Sequence, residues 1–251
     1  MQPDSLSETD SPLLSRRTLY KITGIVVALG IVTSAISVGG RWLGERMMLG
    51  GHSESTETFD LVIGQDTIQL SANTLRFKEQ RRSGATERAD LYLTWPEMMG
   101  YSATNRARFD TVSQPASLIF VQMSQSTMSR DMSGRLQPIY EGLFEGPAEP
   151  AEHGLTLHRL RADSGYGNEV ILTGAQPGAA SPYAVRCLFP SAGERPTSGD
   201  CQRDIRVGQD LTVLYRFSSV LLRDWQKIDA GVRTYVQTRL VTGHPVTQVN
   251  R

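Results

Sequence analysis

Residues that bind metals or act as nucleophiles are scarce in this sequence of 251 residues, which has only two cysteines and four histidines. No CxxC pair occurs. His153 and His158 face opposite sides of a strand, or point about 140° apart on a helix, so joint metal ligation would need an irregular backbone, and scattered loop histidines are the better interpretation. HExxH, GxSxG, GxGxxG and GxxxxGK[ST] are also absent. We therefore assign no catalytic residue, no metal ligand and no cofactor.

An excess of charge is missing as well, because 26 basic residues balance 26 acidic residues. Surfaces that bind nucleic acid are usually strongly basic, so nucleic acid is not an expected partner. The hydrophobic fraction of 39% is ordinary for a folded domain. The composition thus favours an ordinary folded domain over a disordered chain.

Long hydrophobic runs are also rare, and one stands out: residues 22–40, which begin at Ile22 and end at Gly40 and contain no ionisable side chain. As a helix rising about 1.5 Å per residue, this run spans nearly 30 Å, the thickness of the hydrocarbon core of a bilayer. The sequence therefore predicts a transmembrane helix that contacts the lipid bilayer.

The flanks of this run predict its orientation. Arg16, Arg17 and Lys21 lie at its N-terminal edge, whereas Arg41 and Arg46 follow its C-terminal edge. Basic residues are retained on the cytoplasmic side of a membrane, so the N-terminus is expected inside and the following domain outside.

Two alternatives concern export. The Arg16-Arg17 pair resembles the twin-arginine signal, although adjacent arginines also serve the positive-inside rule. The small residues Ala35 and Ser37 resemble a signal-peptidase site, but the run is longer than a typical signal-peptide core, which favours an anchor. Both alternatives stay open, and both place the domain outside the cytoplasm.

The chain divides into five segments by composition. We expect a disordered cytoplasmic tail at 1–15, the anchor and its flanks at 16–46, a Gly- and Ser-rich linker at 47–58, a folded domain at 59–241 and a disordered tail at 242–251. About two hundred residues after the anchor are enough for one domain with a full core.

The pattern of the folded segment predicts an α+β domain built on a mostly antiparallel sheet. Apolar alternation and turn residues predict strands at 59–63, 67–70, 73–77, 89–95, 116–123, 155–160, 169–172 and 211–217. Helical spacing predicts a short central helix at 132–144 and a C-terminal amphipathic helix at 221–240. The segments 78–88 and 146–154 are expected to be loops. No regular alternation of strand and helix supports a parallel sheet.

Cys187 and Cys201 bracket a segment rich in turn-forming residues. In an oxidising compartment such a pair predicts a disulfide, and closing a loop of about fifteen residues stabilises the fold by about 3 kcal/mol. A reactive or metal-binding dithiol is the alternative. The absence of a CxxC spacing and of a nearby histidine argues against it.

Three aromatic residues lie in turn-like sequence where no periodicity places them in the core: Trp95, Tyr101 and Tyr166. Tyrosine and tryptophan contribute much of the energy of protein contacts, so these residues are candidates for an interaction surface. Alternatively, each ring packs down onto the domain and closes its own loop.

Several segments resemble a group of bacterial, chiefly alphaproteobacterial, membrane-anchored proteins of unassigned function. They are ANTLRF, ERADLYLTWPEMMGYS, RDMSGRLQPIYEGLF, GLTLHRLRADSGYG and DLTVLYRFSSVLLRDW. The resemblance implies a single-pass inner-membrane protein with a periplasmic domain. It implies no activity and no catalytic residue.

Together these features predict a membrane-tethered binding or accessory module whose partner is another envelope protein or a cell-wall component. The alternative is an envelope hydrolase whose site is assembled only in three dimensions. A pocket in which His153, His158 or His244 meets a carboxylate and a hydroxyl favours the hydrolase. An exposed patch around the three turn aromatics favours the binding module.

Overall fold

The computed structural model describes residues 16–49, 51–111, 113–176, 178 and 181–241. The chain separates into two compact units, of which the second begins at Gly51. The predicted tails, residues 1–15 and 242–251, lie outside the described residues.

The first unit is a single helix, α1 (Arg16–Leu49). Its stretch Tyr20–Ser37 has a mean hydropathy of 1.6 and no buried residue, and by length and composition it can cross a membrane. The apolar run is thus confirmed as a helix. A signal sequence meets the same two criteria, so membrane retention and orientation stay predictions. Helix α1 also continues through residues 47–49, assigned to the linker by composition, because Met and Leu are good helix formers.

The second unit contains eleven strands and two α-helices among the described residues, joined by turns and short 3₁₀ segments. The strands are β1 (Thr58–Ile63), β2 (Asp66–Ser71), β3 (Gly84–Ala85), β4 (Arg88–Thr94), β5 (Leu118–Gln125), β6 (Phe144–Pro150), β7 (Leu155–Leu160), β8 (Val170–Gly174), β9 (Tyr183–Cys187), β10 (Cys201–Val207) and β11 (Leu211–Phe217). The helices are α2 (Arg106–Asp110) and α3 (Trp225–Gln237).

Eight strands form one sheet in the order β4-β5-β11-β10-β9-β8-β7-β6, and three form a smaller sheet in the order β2-β1-β3. All neighbours in the large sheet are antiparallel. The predicted α+β class with a mostly antiparallel sheet is confirmed, and so is the β1–β2 hairpin. This hairpin turns at Gly64, where φ is 60° and a Cβ atom would lie 2.7 Å from the Asp210 carboxylate. Both features require glycine.

One face of the large sheet shares its core with α3 and the small sheet. Inward and outward side chains alternate along β10 and β11, as expected for strands with one face in the core. In α3, Trp225, Ile228, Val232 and Val236 recur every three or four residues and are buried. Burial of each such side chain contributes about 1.5–3 kcal/mol. The predicted C-terminal amphipathic helix is confirmed.

A smaller core lies on the opposite face and includes Met132, Leu136 and Tyr140. The predicted helix at 132–144 is not a regular α-helix. It consists of a wide π-type turn, Leu136–Tyr140, and a 3₁₀ turn, Glu141–Leu143. Pro138 explains this difference, because it has no N–H with which to continue an α-helical hydrogen-bond ladder.

Two other local predictions were wrong. Residues 73–77 form no strand and make one isolated bridge, between Leu75 and Leu91. The segment 146–154 is largely extended, because β6 pairs with β7 as the edge strand of the large sheet. Its register is interrupted between Glu145 and Glu149. An edge position tolerates the two prolines that suggested a loop.

Part of the predicted linker belongs to the folded unit. The backbone carbonyls of Ser55 and Glu57 accept hydrogen bonds from the N–H groups of Asn73 and Ala72, at 2.9 and 2.8 Å. The compact unit therefore begins at Gly51, before the boundary predicted at residue 59.

The large sheet is narrow in the middle, because β9 and β10 share only two residue pairs. The first pair is Cys187 and Cys201, which form a disulfide with Cα atoms 4.1 Å apart. The second is Arg186 and Gln202. Beyond it the two strands no longer pair, and the side chain of Arg203 reaches from β10 to β9.

Arg203 is 1% exposed, and its guanidinium group makes three hydrogen bonds. It donates to Asp229 Oδ1 at 2.8 Å, to Ser133 Oγ at 2.8 Å and to the Ala184 carbonyl at 2.7 Å. Tyr215 donates its hydroxyl to the same Asp229 oxygen at 2.8 Å. Burial alone would raise the pKa of Asp229, but the positive charge of Arg203 and these hydrogen bonds hold it below the ordinary carboxyl value.

Candidate binding surface

The disulfide predicted from the two cysteines is present and closes residues 188–200, here called the cysteine loop. Asp200 organises this loop. Its backbone carbonyl accepts from the Leu188 N–H at 2.8 Å, and its carboxylate accepts from the Thr197 N–H at 2.8 Å and from the Ser219 hydroxyl at 2.7 Å. The loop therefore has a defined shape at the side of the large sheet.

On the sheet face opposite α3, side chains paired across neighbouring strands form a continuous row. The row consists of Tyr92, Phe120, Arg216, Gln202, Arg186 and Ile171. The rings of His52 and Phe109 cover Tyr92 at one end, and the smaller core covers Ile171 at the other. Among the described residues, no ring or core covers Phe120, Arg216 and Gln202 in the centre, and they line open depressions.

Three depressions meet at this uncovered centre. The largest, about 590 Å³, lies between the cysteine loop and Gln202. A second of about 480 Å³ lies over Phe120, and a third of about 70 Å³ lies over Phe120 and Arg216. The two large depressions share Arg195 and Thr197 of the cysteine loop. Shared lining residues make the three depressions one concave surface, here called the arginine groove.

Three exposed arginines line the groove: Arg76, Arg195 and Arg216. None of them forms an ion pair with a carboxylate among the described residues. The guanidinium carbon of Arg76 lies 5.3 Å from the ring centroids of both Phe77 and Phe120, so these rings orient it. The groove thus presents three guanidinium groups that have no carboxylate partner among the described residues, beside the carboxylates of Glu194 and Asp200.

The acidic residues of the groove already have partners. Glu169 pairs with Arg186 at 2.8 Å, and Asp90 pairs with Arg88 at 3.0 Å. Glu194 accepts a hydrogen bond from the Ser191 N–H at 3.0 Å, within the cysteine loop. These carboxylates are therefore structural and are not positioned to act as a general base.

Apolar side chains stand beside the positive charge. Leu188 is 50% exposed, Phe189 is 40% exposed and Phe77 is 38% exposed. Arginine and aromatic residues are enriched where proteins bind one another. The combination has the chemistry of a recognition surface for a partner that is both acidic and partly apolar.

The three aromatic residues proposed from the sequence do not come together. Tyr101 is 2% exposed and stacks on the ring of His52 at 4.6 Å. Trp95 is half-buried and packs against the main core. Tyr166 lies under the guanidinium of Arg186, 4.8 Å from its ring centroid. Each ring contacts its own part of the domain, and an interaction role for them stays a prediction.

The histidines named from the sequence lie outside the groove. His158 stacks on Phe144 at 4.3 Å, and its Nε2 lies 3.0 Å from Thr173 Oγ1. Nε2 of His153 lies 3.6 Å from the Glu152 carboxylate, at the surface. His244 lies outside the described residues. Neither described histidine is joined to both a carboxylate and a hydroxyl.

A different histidine, His52, approaches a carboxylate. Its Nδ1 lies 2.8 Å from the Tyr92 hydroxyl and its Nε2 lies 3.6 Å from Asp110 Oδ1. Burial lowers the pKa of His52, although Asp110 opposes the shift. No serine or threonine hydroxyl bonds to this imidazole among the described residues, so the site does not form a nucleophile triad. Within the same residues, no group of His, Cys, Asp and Glu side chains is arranged to hold a metal ion.

Sequence reasoning missed the groove residues. Alternation along β11 places Arg216 outward, next to the inward Tyr215 and Phe217, and this was the one available signal. Phe120 lies in a run that resembles a fully buried strand. Nothing in the sequence of the cysteine loop shows that Arg195 stands over the same sheet face.

No family model matches the chain, and no curated protein matches it. Two solved structures resemble it. An immunity protein of the Stenotrophomonas maltophilia type IV secretion system has a TM-score of 0.52 at 17% identity, over 76% of this chain and 96% of that protein. The iron-regulated outer membrane lipoprotein FrpD of Neisseria meningitidis has a TM-score of 0.46 at 10% identity, over 75% and 94%. The first likeness shows that the folded domain shares its fold with an immunity protein.

Proposed function

We propose that this chain is a membrane-anchored, non-catalytic module that binds another component of the bacterial envelope through the arginine groove. The observation that carries the proposal is the groove itself: three exposed arginines without described ion-pair partners stand beside exposed apolar side chains. Arginine beside exposed aromatic and aliphatic side chains is a composition enriched in surfaces that bind proteins.

The chemistry of the groove supports binding over hydrolysis. Its carboxylates are held by arginines or backbone N–H groups, and no histidine lines it among the described residues. A hydrolase needs a base within hydrogen-bond reach of a nucleophile or water. No observation in the described residues favours the alternative envelope hydrolase.

The location rests on α1 and the disulfide. Helix α1 has the length and composition of a membrane span, and its N-terminal flank is the more basic one. A structural disulfide belongs to an oxidising compartment. We therefore place the N-terminus in the cytoplasm and the folded domain in the periplasm, at the inner membrane, as in the alphaproteobacterial group that the sequence resembles. Fusion of a reporter that is active only in the periplasm after Arg251 should give an active protein, and an inactive fusion would contradict this topology.

The fold likeness to an immunity protein fits a binding role, and it enters only as an analogy of fold. A partner held near the membrane surface meets the anchored domain at high effective concentration. Modest affinity is then enough for function.

Photo-crosslinking in intact cells tests the groove directly. Phe189, which is 40% exposed at its rim, is replaced by benzoylphenylalanine, and the matched control carries the same group at the exposed Gln226 of α3. Discrete adducts from position 189, and none from position 226, are expected. Equal labelling from the two positions, or none from position 189, would remove the support for this surface.

A further inference from the structure

Resting on the proposed function, we infer that the arginine groove binds an extended acidic segment of a partner protein. Arg216 and Arg195 take its carboxylates, and Phe189 with Leu188 takes an apolar side chain.

The length of the groove sets the size of the ligand. Its floor crosses β5, β11 and β10, where Phe120 pairs with Arg216 and Arg216 pairs with Gln202. Neighbouring strands lie about 4.8 Å apart, so this floor is about 10 Å wide before the flanking depressions are added. An extended chain advances about 3.3 Å per residue, so about four to six residues fill the groove and its flanks.

The charge of the groove selects acids. Arginine remains protonated at every physiological pH and binds carboxylates through two parallel hydrogen bonds. Arg76 is oriented by the rings of Phe77 and Phe120, whereas Arg195 and Arg216 are exposed and make no side-chain hydrogen bond among the described residues. A neutral ligand would offer these guanidinium groups no charge-assisted hydrogen bond.

The remaining surface argues for a peptide over a uniform polyanion. Glu169, Glu194 and Asp200 also line the largest depression, and they would repel a ligand with negative charge at every position. Leu188 and Phe189 offer apolar contacts that a chain of phosphates does not use. A segment in which acidic and apolar side chains alternate satisfies both the arginines and the apolar rim.

The test uses the full chain in detergent micelles and two labelled eight-residue peptides. In the first peptide Glu alternates with Leu and Phe, and in the second Gln replaces every Glu. Saturable binding of the first peptide is expected, with the second at least about tenfold weaker, because each guanidinium–carboxylate pair adds charge-assisted hydrogen bonds. Binding should weaken as salt is raised.

Variants assign the effect to the groove. Arg216→Ala and Arg195→Ala should each weaken binding of the acidic peptide about fivefold to tenfold and leave the Gln peptide unchanged. Arg223→Ala is the matched control, because Arg223 is an arginine with a 68% exposed side chain outside the groove, and it should have no effect. Equal binding of both peptides, or an unchanged affinity in Arg216→Ala, would overturn the inference.

Competition with cell-wall fragments and inorganic polyphosphate separates this inference from the proposed function. If neither competitor displaces the acidic peptide, the result supports a protein ligand. If position 189 crosslinks to glycan and only cell-wall fragments bind, the binding module stands and the peptide inference fails. If the acidic peptide binds but position 189 gives no adducts in cells, the groove chemistry stands and the envelope role fails.

Discussion

Arg203 and Arg216 occupy neighbouring strands of one sheet but point to opposite faces, and they show two uses of the same side chain. Arg203 is 1% exposed and is bound by Asp229, Ser133 and the Ala184 carbonyl. Arg216 is exposed and has no ion-pair partner among the described residues. The first holds the two halves of the sheet together, and the second leaves its charge available to a ligand.

The strand register, and not the identity of the residue, decides the role of each arginine. Gln202 pairs with Arg216, and the next residue, Arg203, pairs with Tyr215 in the core. A shift of one residue in this register would bring Arg203 to the same face as Arg216. Variants at these two arginines and their neighbours should therefore differ in their effects on stability.

The largest effect is expected from removal of the buried arginine. Arg203→Met leaves the Asp229 carboxylate buried without its partner and should lower the free energy of unfolding by about 3–5 kcal/mol, measured by urea denaturation. The double variant Arg203→Met/Asp229→Leu should recover most of this loss. Arg216→Met should change stability by no more than about 0.5 kcal/mol. An equally large loss in Arg216→Met would show that the exposed arginine also stabilises the fold.

The disulfide should have the next largest effect. Cys187→Ser/Cys201→Ser removes the link at the narrow centre of the sheet and the closure of the cysteine loop. The free energy of unfolding should fall by about 3 kcal/mol. Thermal melting of the wild-type chain should shift downward with reductant, and melting of the double variant should not respond. A reductant-dependent shift in the variant would assign the effect to something other than this bond.

The buried pair of Arg203 and Asp229 also predicts that the stability of the fold depends on pH. Because the folded-state pKa of Asp229 is lowered, its stabilising contribution is fully present above the ordinary carboxyl pKa and is lost as pH falls through the folded value. Urea midpoints of the wild type should therefore fall below about pH 4. The Asp229→Asn variant should be less stable than the wild type at neutral pH. Its urea midpoint should fall less when the pH is lowered. Parallel curves for both proteins would contradict the role of this carboxylate.

The smallest effect concerns His52, which attaches the start of the domain to the Tyr92 and Tyr101 rings. Burial lowers its pKa, so the folded state favours the neutral imidazole, and stability is lost as pH falls from about 6.5 toward the lower folded value. His52→Gln should flatten the stability profile between about pH 7.5 and 5.5, measured by urea midpoints. An unchanged slope would show that another group titrates in this interval.

The sequence predicted those elements whose signals are local. Alternation identified β4 and β11, helical spacing identified the stripe of Trp225 and Val232, and the two cysteines identified their own bond. Local sequence patterns gave the wrong secondary structure where the position of a segment in the fold decides its conformation. The two prolines of β6 suggested a loop, although proline is also tolerated in an edge strand, and helical spacing at 132–144 predicted a helix that the structure replaces by a wide turn around Pro138.

The groove was not predictable, because its floor joins strands that are distant in sequence. β5 lies beside β11, and the pairing of Phe120 with Arg216 depends on that order. The cysteine loop adds Arg195 from a third region. Periodicity gives the face of a side chain within one strand, and it contains no information on which strands become neighbours.

The outer edges of the large sheet have a consequence for how copies of this protein behave when crowded. Strand β6 is exposed, but two of its seven positions are proline, which has no N–H to offer another strand. At the other edge, the N–H of Arg76 donates to the Asp90 carbonyl of β4, and the N–H of Tyr92 donates to the Thr74 carbonyl. Anchored as proposed, neighbouring molecules are confined to two dimensions, where open sheet edges would promote polymerisation. With both edges blocked in this way, a dense population of the protein is expected not to polymerise through the edges of its large sheet.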